Sequence, residues 1–314
     1  MNGDDMVPGP PGTDRKSVIS AVILFFVCLL AVVSNGFITS ALCMEWLLRR
    51  TLLPCDKLLV SLGASRFCLQ WVVMGKIFYI LLNPMAFPYN PMHQFFAFQW
   101  DFLNSLTLWF STWLSVFYCV KIATFTHPAF LWLKCRLSKW VPWMLLSSLG
   151  VSNLNTILFF IGNYEVYQNY LRRDLQPWNA TETSVRSFYE RFYFFSLKMI
   201  SFTVPTVVFI ICMALLTISL GKHLKKAFVT ISGFRDPSAQ AHIKALLALI
   251  SFAILFISSF LSLVIHAAGM FPVWEFRYWT WQVVSHLCMA VHPISLIFSN
   301  PKLKAVLERG CSSR

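Results

Sequence analysis

The stretch VISAVILFFVCLLAVVSNGFITSALCM, Val18–Met44, decides the fold of this chain. It contains no charged side chain, and its polar residues are Ser, Thr and Asn. A helix rises about 1.5 Å per residue and the bilayer core is about 30 Å thick, so about 20 apolar residues span it. The stretch exceeds that length, and no small-residue cleavage site follows it. We therefore expect a retained membrane anchor and not a cleaved signal peptide.

The same criterion predicts seven membrane-spanning helices. Of the 314 residues, 57% are hydrophobic and only 12% are charged, whereas about a quarter of the residues in a soluble domain are charged. The predicted spans are Val18–Met44, Lys57–Leu82, His93–Phe125, Trp140–Gly162, Phe192–Gly221, Lys244–Ala268 and Trp279–Ser299. We predict an all-α membrane protein: a seven-helix bundle over residues 18–299, a short tail rich in Pro, Gly and acids over residues 1–17, and a short tail over residues 300–314.

The distribution of charge predicts the orientation in the membrane. The loops after the first, third and fifth spans, with the C-terminal tail, hold 16 basic and four acidic residues. The N-terminal tail and the remaining loops hold seven basic and eight acidic residues. Because cytoplasmic loops are rich in Lys and Arg, we expect a multi-pass protein with its N-terminus outside and its C-terminus inside.

Two features of the loops fit this orientation. The sequon Asn179-Ala180-Thr181 lies in the longest loop on the predicted outer face, where glycans are transferred. The basic residues lie in loops that flank spans, where they face anionic lipid headgroups of the inner leaflet. We therefore expect membrane lipid and not nucleic acid as the partner of these charges.

The sequence carries no motif for a metal site or for catalysis. None of its nine cysteines lies in a predicted outer loop, and no Cys/His cluster has metal-ligand spacing. It also lacks His-Glu-x-x-His, Gly-x-Ser-x-Gly and a phosphate-binding glycine loop. We expect no metal, no cofactor and no enzymatic activity. A multi-span transporter of small solutes stays the alternative, although the chain shows no repeated halves.

Polar residues inside the spans predict a buried network. Arg66 lies about 13 Å deep in the second span, counted from the cytoplasmic side at helical rise, and Asn35 lies at a comparable depth in the first. A guanidinium group at that depth needs several acceptors. We expect Arg66 and Asn35 to share one network, either as a structural clamp or as a contact that changes between two states of the protein.

The outer half of the third span predicts a small-molecule pocket. Trp100 and Asn104 are four residues apart and share a helical face, which offers one stacking surface and one hydrogen-bonding amide. Asp101 is either a counter-ion for a cationic ligand or the partner of Lys76 in the second span. The cost of a buried unpaired carboxylate favours the pair with Lys76.

Other spans offer polar residues at a similar depth. Taken one at a time, each is typical of a hydrogen bond between helices. Their convergence predicts a ligand site, and the candidates are Lys198, Ser259, Ser262, His266, Gln282 and His286.

Several segments resemble a known family, the type 2 or bitter taste receptors, which are seven-helix G-protein-coupled receptors. The segments are LSVFY (114–118) leading into KIA (121–123), HPAFLWLK (127–134), SLGKH (219–223), DPSAQAHIKAL (236–246) and the ending HP…SN-x-KLK (292–304). They occur in the family's order along nearly the whole chain. As that resemblance implies, the chain lacks Asp-Arg-Tyr after the third span and Asn-Pro-x-x-Tyr in the seventh.

The resemblance implies a function. A small bitter organic molecule would bind from outside, and Trp100 and Asn104 match the family's pocket residues. On the outer face, Asn179 matches the family's glycosylation site. A gustducin-type heterotrimeric G protein would bind on the cytoplasmic face. The residues expected to face the G protein are Tyr118, Lys121, Lys222, Lys225 and Lys226.

Two positions depart from the family pattern. Ser259 stands where many members carry Tyr, and Gln282 stands where some members carry Glu. These departures put recognition of amines in doubt, because they leave Asp101 as the only acid in a predicted span.

Overall fold

The computed structural model describes residues 15–83, 90–123, 128–172, 188–230, 237–268 and 276–312, and the elements within these ranges are helices. The helices are α1 (Arg15–Arg49), α2 (Pro54–Leu82), α3 (Pro91–Ile122), α4 (Pro128–Arg172), α5 (Phe188–Thr230), α6 (Pro237–Ala267), α7 (Phe276–Ser299) and α8 (Pro301–Ser312). The first seven are long and apolar enough to cross a membrane, which confirms the predicted seven-helix membrane fold.

Proline marks where many of these helices begin. α2, α3, α4, α6 and α8 all start at a proline, whose fixed φ suits the first helical position and whose missing N–H would have no partner there. At α3 the side chain of Asn90 adds a cap, accepting a hydrogen bond from the backbone N–H of His93 at 2.8 Å. Proline therefore sets the first residue of these five helices.

The helices extend past several predicted bounds. α4 begins at Pro128 and not near Trp140, and it runs to Arg172 instead of Gly162. α5 continues to Thr230, beyond the predicted end at Gly221. Hydropathy marks only the part of a helix that lies in hydrocarbon, so polar turns that continue the helix into water escape it. α3 ends earlier than predicted, at Ile122, with Ala123 in an extended conformation.

Both ends of the chain also carry more helix than the sequence predicts. α1 begins at Arg15, inside the segment assigned to the N-terminal tail, while residues 1–14 lie outside the described ranges. The C-terminal tail, expected to be a basic extension, forms the amphipathic helix α8. Leu303 on α8 is 1% exposed, whereas Lys304 is exposed, so α8 docks one apolar face on the bundle.

Six of the seven spans, α3 among them, close into a ring. α1 packs on α2, α2 on α3, α3 on α5, α5 on α6, α6 on α7, and α7 returns to α1. α4 packs outside this ring, mainly on α3. α3 is the most buried span: Ser111, Thr112 and Ser115 along it are at most 1% exposed. Polar side chains thus lie inside the bundle, whereas large apolar ones such as Phe26 and Trp143 lie outside, as expected with lipid as the solvent.

A glycine allows α1 and α2 to approach closely. A Cβ atom at Gly63 would lie 2.7 Å from Thr39 Oγ1 and 3.5 Å from the carbonyl oxygen of Asn35. The Thr39 hydroxyl is held in that place, because it donates a hydrogen bond to the same carbonyl at 2.9 Å. Small residues at such crossings let helix backbones pack in lipid, where no hydrophobic force drives helices together.

Candidate functional site

A cavity opens between α1, α2, α3 and α7 in the half of the bundle that holds the predicted pocket. Three predicted ligand residues line it: Trp100, Gln282 and His286. The space open to the centre of a water-sized sphere is about 20 Å³, enough for about one water molecule. Drug-sized ligands occupy sites of about 300–1,000 Å³, so a ligand has to displace side chains of this wall.

The indole of Trp100 is the centre of this region. Trp100 is 9% exposed and its ring lies 4.6 Å, centroid to centroid, from the ring of His266 on α6. The ammonium nitrogen of Lys198 on α5 lies 5.7 Å from the Trp100 ring and 5.2 Å from the ring of Phe159 on α4, which are cation–π distances. Residues of α3, α5 and α6 that were predicted separately therefore meet at Trp100.

The expected pair of Asp101 with Lys76 is wrong. Asp101 Oδ1 lies 3.3 Å from the Nζ atom of Lys198, with the two side chains only 7% and 17% exposed. The contact is an ion pair without hydrogen-bond alignment, since Asp101 Oδ1 has no hydrogen-bond partner within the described part of the chain. Asp101 and Lys76 lie at similar depths along their helices, but depth does not say in which direction a side chain points. Asp101 faces Lys198 on α5, whereas Lys76 lines the cavity.

Three other predicted residues contribute hydrogen bonds to helices. Asn104 is 2% exposed, and its Nδ2 donates to the carbonyl of Trp100 at 2.8 Å, which fixes the turn that carries the indole. Ser262 on α6 hydrogen-bonds to Ser285 on α7 and joins the two helices. Ser259 donates to its own helix, to the carbonyl of Leu255 at 2.9 Å, and is not among the described residues that line the cavity.

Sequence reasoning missed part of the cavity wall. Lys76 was considered only as a partner of Asp101, and Tyr278 and Trp279 were not singled out. An aromatic pair at the outer end of a span is typical of the membrane interface, so its pattern alone does not distinguish a lipid-facing ring from a cavity-facing one. In the structure both rings are buried, at 7% and 4% exposed.

Arg66 forms a polar network toward the other end of the bundle. Its Nη1 lies 2.6 Å from Nδ1 of His292 on α7, and its Nη2 donates to Oγ of Ser111 on α3 at 3.4 Å. Asn35 lines the same cavity of about 10 Å³ as Arg66 and His292, but its Nδ2 donates to the carbonyl of Ala31 on its own helix at 2.8 Å. The network is as expected for Arg66, while its partners are His292 and Ser111 and not the amide of Asn35.

The residues expected to face a G protein lie at the end of the bundle opposite to the Trp100 cavity. The hydroxyl of Tyr118 accepts a hydrogen bond from the Cys55 thiol at 3.5 Å, which ties α3 to the start of α2. Lys121 is exposed, and its Nζ donates to the carbonyl of Lys134 on α4 at 3.4 Å. Lys222 is exposed on α5. The side chains of Lys225 and Lys226, and all of Asn179, lie outside the described residues.

A cluster of charges docks α8 at that same end. Nζ of Lys302 lies 3.1 Å from Oδ2 of Asp56 on α2 and 3.5 Å from Oε1 of Glu45 on α1. Partial desolvation lowers the pKa of Lys302, but the hydrogen bonds to Asp56 and Glu45 and their negative charges outweigh it and raise its pKa above the ordinary value. Lys302 is therefore a firmly charged link between α8, α2 and α1.

A membrane bundle of seven spans with an aromatic and polar cavity at one end and a basic rim at the other defines the class of seven-helix receptors. Comparison with known proteins gives the family. The family model "Taste receptor protein (TAS2R)" matches residues 14–310, and the chain belongs to this family. The resemblance seen in its motifs is thereby confirmed.

Curated relatives match over the full chain. Taste receptor type 2 member 60 of Homo sapiens is 67% identical over 314 residues, which cover 100% of this chain and 99% of the human protein. The protein of the same name from Macaca mulatta is 66% identical over the same extent. Taste receptor type 2 member 135 of Rattus norvegicus is 59% identical over 299 residues, covering 95% of this chain and 93% of the rat protein. In the sequence, the stretches KLLVSLGASRFCLQW (57–71) and FQWDFLN (98–104) resemble taste receptor type 2 member 60 in particular, which agrees with these identities.

Proposed function

We propose that this chain is a G-protein-coupled receptor that detects small bitter organic molecules at the cell surface. It stands in the plasma membrane with its N-terminus outside and its C-terminus inside, and it activates a gustducin-type heterotrimeric G protein. The relatives reported above are named taste receptors, which favours a receptor over a transporter or an enzyme. The charge asymmetry of the loops supports the orientation.

The observation that carries the proposal is the cavity lined by Trp100, Gln282 and His286. It lies between α3 and α7, and its aromatic and polar walls suit a small organic molecule. Around it, Trp100 also touches the rings and charges of α5 and α6. A ligand that enters there shifts the equilibrium between two arrangements of the bundle, and its difference in affinity for the two sets the size of the shift.

The opposite rim is the proposed G-protein surface. Tyr118 and Lys121 on α3, with Lys222, Lys225 and Lys226 on α5, belong to the segments that resemble the family's G-protein-facing end. α3 joins the two ends physically, since it carries Trp100 near one end and Tyr118 near the other and packs on α2, α4 and α5. Movement of α3 at the cavity is thus felt at the rim.

Expression of the chain with a gustducin-type G protein in a calcium-reporting cell line tests the function. We expect at least one compound of a broad bitter library to raise calcium. Trp100→Ala should weaken that agonist by about tenfold or more, a loss of ~1.4 kcal/mol in ligand free energy. Trp143→Ala is the matched control, because Trp143 is 70% exposed on α4. No response across the library, with solute uptake by the same membranes, would favour the transporter.

Coupling is tested separately from ligand binding. Lys121→Ala should lower the maximal calcium response while the agonist still competes with a labelled ligand, because Lys121 lies far from the cavity and is exposed at the rim. An unchanged maximal response at equal surface level would assign Lys121 to anchoring at the interface only.

A further inference from the structure

The described wall of the cavity at Trp100 carries a positive charge and no negative one. Among the residues that the structure describes, ten form its wall; Lys76 is the only one of them with a full charge, and none of them is acidic. Gln282 and His286 add polar groups, and Trp100, Tyr278 and Trp279 add aromatic surface. A charged ligand group that enters this wall therefore meets a cation first.

Asp101 does not supply the missing negative charge. Its carboxylate does not line the cavity, and it is held by the ammonium group of Lys198 at 3.3 Å on the α5 side. An amine ligand would have to displace Lys198 and leave that buried ammonium unpaired, which is costly in a low-dielectric interior. The structure therefore disfavours Asp101 as a counter-ion for amines.

Lys76, by contrast, lines the cavity itself. Within the residues that the structure describes, its ammonium group forms no ion pair or hydrogen bond, although the side chain is half-buried. A cation beside a poorly hydrated cavity attracts an anion more strongly than the same cation in water.

His286 supplies a second, independent sign of a missing ligand group. It is 3% exposed and lines the cavity, and its Nδ1 atom is buried without a hydrogen-bond partner among the described residues. Buried polar atoms are nearly always paired. The amide of Gln282 lies one turn away on the same face of α7 and lines the same cavity. An anion bound by Lys76 would have hydrogen-bonding groups of α7 opposite it.

We propose that the ligands of this cavity are small aromatic acids, with a carboxylate or similar anion bound by Lys76 and rings packed against Trp100, Tyr278 and Trp279. The inference rests on the proposed receptor function and names its ligand class. The anion bridges α2, which carries Lys76, and α7, which carries Gln282 and His286. Binding then couples two helices that flank α1 in the ring.

The test uses the full-length receptor in calcium-reporting cells with a panel of one- and two-ring aromatic carboxylates. Each acid is paired with its methyl ester and with its aminomethyl analogue, so that the ring system is kept while the negative charge is removed or replaced by a positive one. We expect the acids to activate, and the esters and amines to be at least tenfold weaker. Lys76→Met should weaken the acids at least tenfold and leave the esters within threefold, while Lys76→Arg should keep the acids active.

Two further variants keep the test decisive. Lys57→Met removes an exposed lysine from the same helix and should leave all potencies unchanged at equal surface level. Lys198→Met removes the partner of Asp101 and should shift preference toward the aminomethyl analogues. If amines or esters match the acids in the parent receptor, or if Lys76→Met keeps full acid potency, the inference is overturned while receptor function stands. If neither the panel nor a broad bitter library produces any signal, the receptor proposal itself fails.

Discussion

Arg66 brings a guanidinium group into the bundle, where it is 7% exposed and bound by His292 and Ser111. His292 also packs its ring against Phe252 on α6, at 4.6 Å between centroids. His292 on α7 thus contacts both Arg66 on α2 and Phe252 on α6 and links these three helices. Removing one partner of a buried charge is more costly than removing both.

We predict that His292→Leu destabilises the receptor by about 3 kcal/mol, because Arg66 then keeps only the hydroxyl of Ser111. The measurement is thermal unfolding of the detergent-solubilised receptor, followed by the loss of its monomer peak. The double variant Arg66→Met/His292→Leu should be more stable than His292→Leu alone, since no buried charge is left unpaired. A double variant that is weaker than either single one would contradict this account.

The contrast between Arg66 and Asp101 shows what a sequence can predict at the residue scale. Burial and the need for partners follow from depth in an apolar span, and both residues are buried as expected. The identity of the partner depends on helix rotation and on contacts over 226 residues for His292, which periodicity does not encode. Trp100, Gln282 and His286 line one cavity, whereas the partners expected for Arg66 and Asp101 are wrong.

At the scale of the helices, hydropathy predicts that each membrane-spanning helix exists, but it does not predict the residues at which the helix begins and ends. All seven spans are predicted, but α4 and α5 continue into polar segments, and α8 lies in residues that are predicted only as a short tail. α8 has charged residues on one face and depends on docking, because Leu303 is buried against the bundle. A helix of this length is marginal in isolation, so its sequence alone does not fix its structure.

We predict that docking of α8 depends on Asp56. Asp56→Asn removes the carboxylate nearest to Lys302 and should speed amide hydrogen exchange of residues 301–312 by about two- to fivefold, as expected for a partly exposed ion pair. Glu308→Gln is the control, because Glu308 pairs only with Lys304 on the same helix and is exposed. Equal exchange in both variants would show that the carboxylate of Asp56 does not hold α8 on the bundle.

The pKa of Lys302 gives the pH range of this docking. Because the folded state raises that pKa, the ion pair stabilises docking fully below the ordinary lysine pKa and is lost as pH rises through the raised value. Docking of α8 should thus be constant across neutral pH in the same exchange measurement. A loss of protection between pH 6 and 8 would point to another group.

The crossing of α1 and α2 gives a second prediction for the helices. Gly63→Leu places a branched side chain at a position where even a Cβ atom would lie 2.7 Å from Thr39 Oγ1. The substitution should destabilise the receptor by about 1–3 kcal/mol. Gly150→Leu on α4 is the matched control, because nothing lies within 4 Å of its Cβ position. Thermal unfolding of both variants measures the difference, and an equal midpoint for both would contradict the close approach.

At the scale of the whole molecule, orientation is a proposal that rests on charge. We predict that an epitope tag at the N-terminus is accessible in intact cells and a tag at the C-terminus only after permeabilisation. Asn179→Gln should remove the glycan and increase the electrophoretic mobility of the protein. Access to the C-terminal tag in intact cells, or no change in mobility, would contradict the predicted topology.

The contact between α1 and α7 has a consequence for biosynthesis. The ribosome delivers α2, with Arg66, to the membrane long before it has synthesised His292, which lies 226 residues later. Until α7 leaves the translocon, the ring stays open and the guanidinium group lacks its main acceptor. Insertion of the last span therefore closes the ring and pairs the guanidinium group of Arg66 with His292 in one step. We expect nascent chains that end before α7 to keep an unpaired charge between their helices, which cellular quality control can recognise.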